Sequence, residues 1–183
     1  MKTTTKKLLT IYRIGCAAYL GGKVLKAAQS KPFLQDEELH LQLTRVLVDH
    51  FTPLIAADLG VDLTTVTHSV GELPDGYCDL FAPLHAQALT FYQPGATQTH
   101  IHYYHDRVLN DFNRWMVGVE DYSVAIVSLV AHELTHCRQQ QGQGIGGTKN
   151  EVFWAELEAY PTGFAYAMKY KKQIKALLKE IGF

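Results

Sequence analysis

Cysteine is scarce in this chain: Cys16, Cys78 and Cys137 are an odd number, far apart, and form no C-x-x-C pair. That spacing excludes a disulfide framework and favours a reducing, cytoplasmic setting. No run of 18 apolar residues exists, so no transmembrane helix is expected. Internal repeats and low-complexity tracts are missing as well. A net charge of −1 over 183 residues argues against a nucleic-acid binder that works by covering phosphates with Lys and Arg. What is present, 47% hydrophobic and 19% charged residues, is the make-up of an ordinary globular protein. The length is that of one domain, able to bury about 70% of the surface its unfolded chain would expose.

The charge is unevenly spread. Residues 1–35 carry seven basic residues and no acid, residues 169–183 carry a net +4, and the stretch between them carries −12. Basic helical ends lying against an acidic body are the expected reading, with contact between the N-terminal helix and an anionic surface as the alternative. The N-terminus begins like a signal peptide, but Arg13 interrupts its apolar stretch and Lys23 and Lys26 follow. It also shares the acid-free, amphipathic character of an organellar transit segment. It is read as a retained helix.

Hydrophobic spacing predicts helices over 6–28 and 36–58, with Pro53 kinking or ending the second. From Val61 to Tyr104, β-branched and aromatic residues alternate with turn signals, which predicts short strands. The clearest are 88–92 and 97–104, with Pro94-Gly95 suggesting a hairpin between them. Helices follow over 106–117 and 123–141, the latter capped by Gly142. A last helical region is expected from an N-cap at Asn150 to about Ile181, kinked at Pro161. The whole predicts an α+β fold in one domain, 1–183. Its parts are an N-terminal helical part (1–58), a small antiparallel or mixed sheet (61–104) and a second helical part (106–183).

The chemistry concentrates in Val130-Ala131-His132-Glu133-Leu134-Thr135-His136. H-E-x-x-H on a helix places two imidazoles one turn apart on one face, where both reach one ion. Glu133, one residue round from His132, is placed to touch a metal-bound water without ligating the metal. In a chain of this composition the pattern arises by chance roughly 0.02 times. A catalytic zinc needs a third protein ligand and one open position. Two carboxylates, Glu156 and Glu158, stand on the next helix, Glu156 lying 20 residues after His136. Two residues turn a helix by about 200°, so they cannot share a face, and only one of them is the ligand.

The run A-H-E-L-T-H followed by Gln139-Gln140, and then E-x-E-A at 156–159, resembles the zincin-like metallopeptidases. It is most similar to their glutamate-ligand (gluzincin) branch, in particular small bacterial predicted-peptidase domains. The resemblance spans about residues 129–160. It implies a zincin-like fold, zinc held by His132, His136 and Glu156, and Glu133 as the general base hydrolysing a peptide or protein substrate. Glu158 remains the alternative third ligand. Many gluzincins carry an Asp four residues after the ligand Glu, bonded to a ligand His; here Tyr160 stands there, a candidate for that bond or for oxyanion stabilisation. Tyr166, His102 and His105 are further oxyanion candidates. The strand 97–104 is the expected edge for pairing with substrate backbone.

Two other features carry less weight. His100 and His102 share a strand face, with His105 nearby: a second metal site, or more simply a polar strand face. Cys137 is expected in the core. GQGIGG lacks the Lys-Ser/Thr of a phosphate loop, and no Ser-His-Asp or Cys-His arrangement stands out. The competing functional reading is a zinc-binding domain of this fold without peptidase turnover, serving a structural, regulatory or secretion-associated role.

Overall fold

The computed structural model describes residues 36–73, 86–91, 98–105, 107–108, 118–142 and 149–183. The helix expected over 6–28, the Pro94-Gly95 turn and most of the helix expected over 106–117 lie outside these residues.

Asp36 starts the first helix, α1 (Glu37–Leu59), by accepting the Leu39 N–H on its side chain at 2.9 Å. Gly60 ends it with a left-handed φ of 72°. Leu43, Leu47, Val48, Phe51 and Ile55 form its buried face, at the spacing that the sequence pattern required. Pro53 does not end the helix, which continues to Leu59. Pro53 and Asp49 both lie on the exposed face, so the carbonyl deprived of its helical partner is within reach of water.

A short 3₁₀ turn, Leu63–Thr65, leads into β1 (Val66–Val70); β2 (Ala88–Phe91) and β3 (Thr99–Tyr103) complete a mixed sheet of order β1-β3-β2. β1 runs parallel to β3, Val66 opposite Thr99, and β2 runs antiparallel to it, Ala88 opposite Tyr103. The strand expected to offer an edge, 97–104, is therefore the central one. β1 takes one side of it and β2 the other, and among the described strands β2 is the edge that faces α2.

Two long helices follow, α2 (Val119–Gly142) and α3 (Lys149–Glu180). Gly142 is the last helical residue of α2 and does not adopt a left-handed φ, so it is not the cap expected of it. Asn150 lies inside α3, whose helical backbone begins at Lys149, so it is not the N-cap. α3 also runs through Pro161, which is exposed.

The core forms where α1, α2 and α3 meet the sheet, with Phe51, Ile101, Tyr103, Ile126, Leu134 and Ile174 among its largest fully buried side chains. Each such side chain contributes roughly 1.5–3 kcal/mol by leaving water. Gln141 fixes the end of α2 to the start of the sheet: its amide accepts the Asp62 N–H at 2.9 Å and donates to Asp62 O at 2.9 Å and Thr65 Oγ1 at 3.0 Å.

The helix pair that matters for the site is α2 against α3. Ala155, Ala159, Gly163 and Ala167 recur every fourth residue, and all are buried. They make a smooth ridge that lets the two backbones approach closely. At Gly163 the approach is tightest: a Cβ there would sit 2.6 Å from the Ser128 carbonyl oxygen and 3.5 Å from His132 Cβ.

The basic C-terminal stretch lies partly against acidic groups of the body, Lys169 on Asp58 and Lys175 on Glu120. Among the described residues no helix is long and apolar enough to cross a membrane.

Candidate metal centre

His132 and His136 leave α2 one turn apart, their Nε2 atoms 3.1 Å from each other. Glu156, beside Ala155 at the start of the small-residue ridge of α3, reaches both: Oε2 lies 3.3 Å from His132 Nε2 and Oε1 lies 3.4 Å from His136 Nε2. The ligand atoms of these three residues all lie within 4.8 Å of one another. Among the described residues, no other cluster of three or more His, Cys, Asp or Glu side chains is compact enough to hold an ion.

The electrostatics of this cluster are unfavourable without a cation. Burial, and secondarily His136, depress the His132 pKa to about 4, so its imidazole is neutral at pH 7. Glu156 Oε2 is shielded from solvent and has no hydrogen-bond donor among the described residues. The two Nε2 atoms lie at hydrogen-bond distance, so one imidazole can donate to the other, but Glu156 Oε2 stays a buried acceptor, which is costly. Two imidazoles and one carboxylate with a further position open are the donor set that suits a catalytic divalent ion.

Glu158 sits differently. Its carboxylate turns away from the histidines, bonding Arg138 through one oxygen and accepting the Gln139 amide at 2.7 Å through the other. Helical geometry sends residues two apart to opposite sides, and here one side faces α2's histidines while the other reaches its later residues.

Glu133 is 4% exposed and accepts the Thr90 hydroxyl at 2.7 Å on Oε2. Burial pushes its pKa up; the Thr90 bond and the His136 imidazole offset part of the rise. Thr90 comes from β2, so the edge strand and the H-E-x-x-H helix meet at this carboxylate.

Tyr160 borders the same space but contributes its ring, edge-on to His132 with centroids 4.7 Å apart. Its hydroxyl makes no hydrogen bond among the described residues, so it does not bond a ligand histidine there as expected of it. The partner of an imidazole N–H is instead Gln139, whose Oε1 lies 3.0 Å from His136 Nδ1.

The other oxyanion candidates lie elsewhere. His102 is fully buried in the sheet with Nδ1 on Ser69 Oγ at 2.8 Å, and His105 approaches Glu37 at 3.8 Å. Tyr166 stacks on Tyr170. His100 bonds Thr67 and Ser69, both at 2.8 Å, so it and His102 form a polar face between β1 and β3 and join no metal-capable cluster among the described residues. Cys137 is buried in the core; burial, with Glu133 nearby, pushes its thiol up to about 12.

The centre opens on a cleft of about 1010 Å³ between β2, α2 and α3. His132, Glu133, His136 and Glu156 line one part, the stretch Ala86–Thr90 forms a wall, and Val124, Leu129, Phe164 and Met168 supply apolar surface.

Three contributors were given no role from the sequence, Gln139 being noted there only as part of the motif. Gln139 carried a signal, since a residue three after His136 returns to its side of the helix. The ridge around Gly163 was likewise visible as small residues at a spacing of four. Thr90 had no signal, because only the sheet register brings it to Glu133. Comparison of the chain with protein-family models, curated proteins and solved structures finds no match.

Proposed function

We propose that this protein is a zinc-dependent metallopeptidase of zincin-like architecture, with His132, His136 and Glu156 holding the ion and Glu133 as general base. The observation that carries the reading is the convergence of those three ligand atoms within 4.8 Å beside a buried carboxylate, at the wall of an open cleft. Zinc held there supplies an acidified water and polarises the scissile carbonyl. The remaining work falls to the chain itself. Glu133 takes the proton from the attacking water and returns it to the leaving amine, a task suited to a carboxyl whose pKa is raised by burial. The Thr90 hydroxyl fixes one oxygen of Glu133 and leaves the other for the proton. The outer edge of β2 holds an extended substrate by backbone pairing, a role first expected of the neighbouring strand. The apolar cleft wall receives its side chains and excludes bulk water.

The test is metal content by elemental mass spectrometry on untagged protein, beside a His132→Ala/His136→Ala double variant, followed by a peptide-library cleavage screen. About one zinc per chain, lost in the double variant, with cleavage that disappears in Glu133→Gln, is the expected result. Zinc without cleavage would leave a metal-bearing domain that does not turn over. A metal-free protein, even after zinc is restored, would refute the reading.

A further inference from the structure

We propose that Gln139 is a positioning residue that sets the tautomer of His136, with Glu158 locking the Gln139 amide in the orientation this requires. Its consequence for metal binding rests on the function proposed above; the tautomer itself does not.

Gln139 spans from α2 to α3, where its Nε2 meets two groups, the Glu158 carboxylate at 2.7 Å and the Ala155 carbonyl at 3.2 Å. Both are acceptors only, so the nitrogen of the amide must face α3 and a flipped amide would set oxygen against oxygen. Oε1 is then the atom that faces His136 Nδ1 at 3.0 Å. A carbonyl oxygen accepts and cannot donate, so Nδ1 carries the proton. In the neutral ring this leaves Nε2 with its lone pair, aimed at the point that His132 Nε2 and Glu156 share.

Glu158 therefore contributes to the same centre as Glu156 without touching it. Arg138 holds one oxygen of Glu158, and the other holds Gln139. The E-x-E pair on α3 divides the labour: one carboxylate faces the ion's position, and the other orients the amide that orients a histidine. Partners of this kind raise metal affinity by fixing the ring and its tautomer, and their loss typically weakens binding 10–100-fold.

The test uses the full-length protein, first metal-free and then titrated with zinc against a competing chelator. Two-bond ¹H–¹⁵N correlation at pH 8 reads the His136 tautomer. The expected wild-type result is protonation at Nδ1. Gln139→Met, nearly isosteric but unable to accept this bond, should populate the Nε2–H form and weaken zinc binding about 10–100-fold. The exchange Gln139→Glu with Glu158→Gln keeps an acceptor toward His136 and a donor at residue 158, at the cost of the Ala155 carbonyl bond, and should restore the Nδ1–H form. Nδ1–H retained in Gln139→Met, with zinc affinity within about twofold of wild type, would overturn the proposal. If the wild type takes up no zinc, the metallopeptidase reading fails while the tautomer comparison still decides this one. If Gln139→Met does not fold, the exchanged variant decides alone, and Nε2–H in it refutes the assignment.

Discussion

Replacing Gly163 with alanine adds a single methyl group at the closest approach of α2 and α3. That methyl would sit 2.6 Å from the Ser128 carbonyl oxygen and 3.1 Å from Ser128 Oγ. The hydroxyl can rotate away, but the carbonyl belongs to the backbone of α2. Relief to an ordinary contact near 3.4 Å needs α3 to move outward by most of an ångström. Overpacking of this kind costs typically 1–3 kcal/mol, and the gain in helix propensity on replacing Gly by Ala returns roughly 1 kcal/mol. The net expectation is a loss of about 0–2 kcal/mol, seen as a melting temperature lowered by up to about 8 °C for a chain of this size. The larger effect falls on the centre. Glu156 rides on α3 and the histidines ride on α2, while metal sites tolerate only about 0.2 Å of error in ligand distance. Zinc affinity should therefore fall well beyond what the stability loss accounts for. Chelator-competition titration and thermal melts of the metal-free protein measure the two separately. Ala165→Gly, at an exposed position on the same helix, serves as control: it should cost about 1 kcal/mol of helix propensity and leave zinc affinity unchanged. A Gly163→Ala protein that is more stable than wild type and binds zinc equally well would refute the close-approach argument.

Glu156→Gln should abolish tight zinc binding, whereas Glu158→Gln should retain it to within the 10–100-fold range of an indirect effect; the reverse order would reassign the third ligand. Glu133→Gln should keep the metal and reduce peptide cleavage by about 10²–10⁴, read as kcat on a substrate from the library screen. With free zinc at about a hundred times its Kd, the melting transition should gain about 2.7 kcal/mol, and a chelator should reverse this fully. Cys137, its thiol pushed up to about 12 by burial, should resist alkylation at pH 8 in the folded protein. The thiolate fraction is then about a thousandfold below that of an ordinary thiol near 9, and peptide mass mapping of iodoacetamide adducts checks it. Labelling at the rate of the unfolded chain would show that the thiol is not buried as described.

How far the sequence determined this protein depends on the range of the interaction concerned. H-E-x-x-H needs only a helix to bring His132 and His136 together, because the spacing of four is itself the geometry. The same local periodicity made α1, α2 and α3 legible, and the alternation of β-branched residues with turn signals made β2 and β3 legible. Helical geometry also required Glu156 and Glu158 to face apart. Which of them faces the histidines was a matter of how α3 rolls against α2, and that roll is set by the ridge Ala155, Ala159, Gly163 and Ala167. Sheet order was likewise tertiary: β1 pairs parallel to β3, a contact between segments more than thirty residues apart, and it turned the expected edge strand into the central one. Thr90 meets Glu133 only because that order leaves β2 beside the helix. Gln139 acquires its meaning only when α3 supplies Glu158 and the Ala155 carbonyl on its far side. Local pattern determined which residues carry chemistry, because a helix repeats its geometry wherever it forms. Packing decided what those residues face, because a partner from another element is fixed only once the chain has closed on itself.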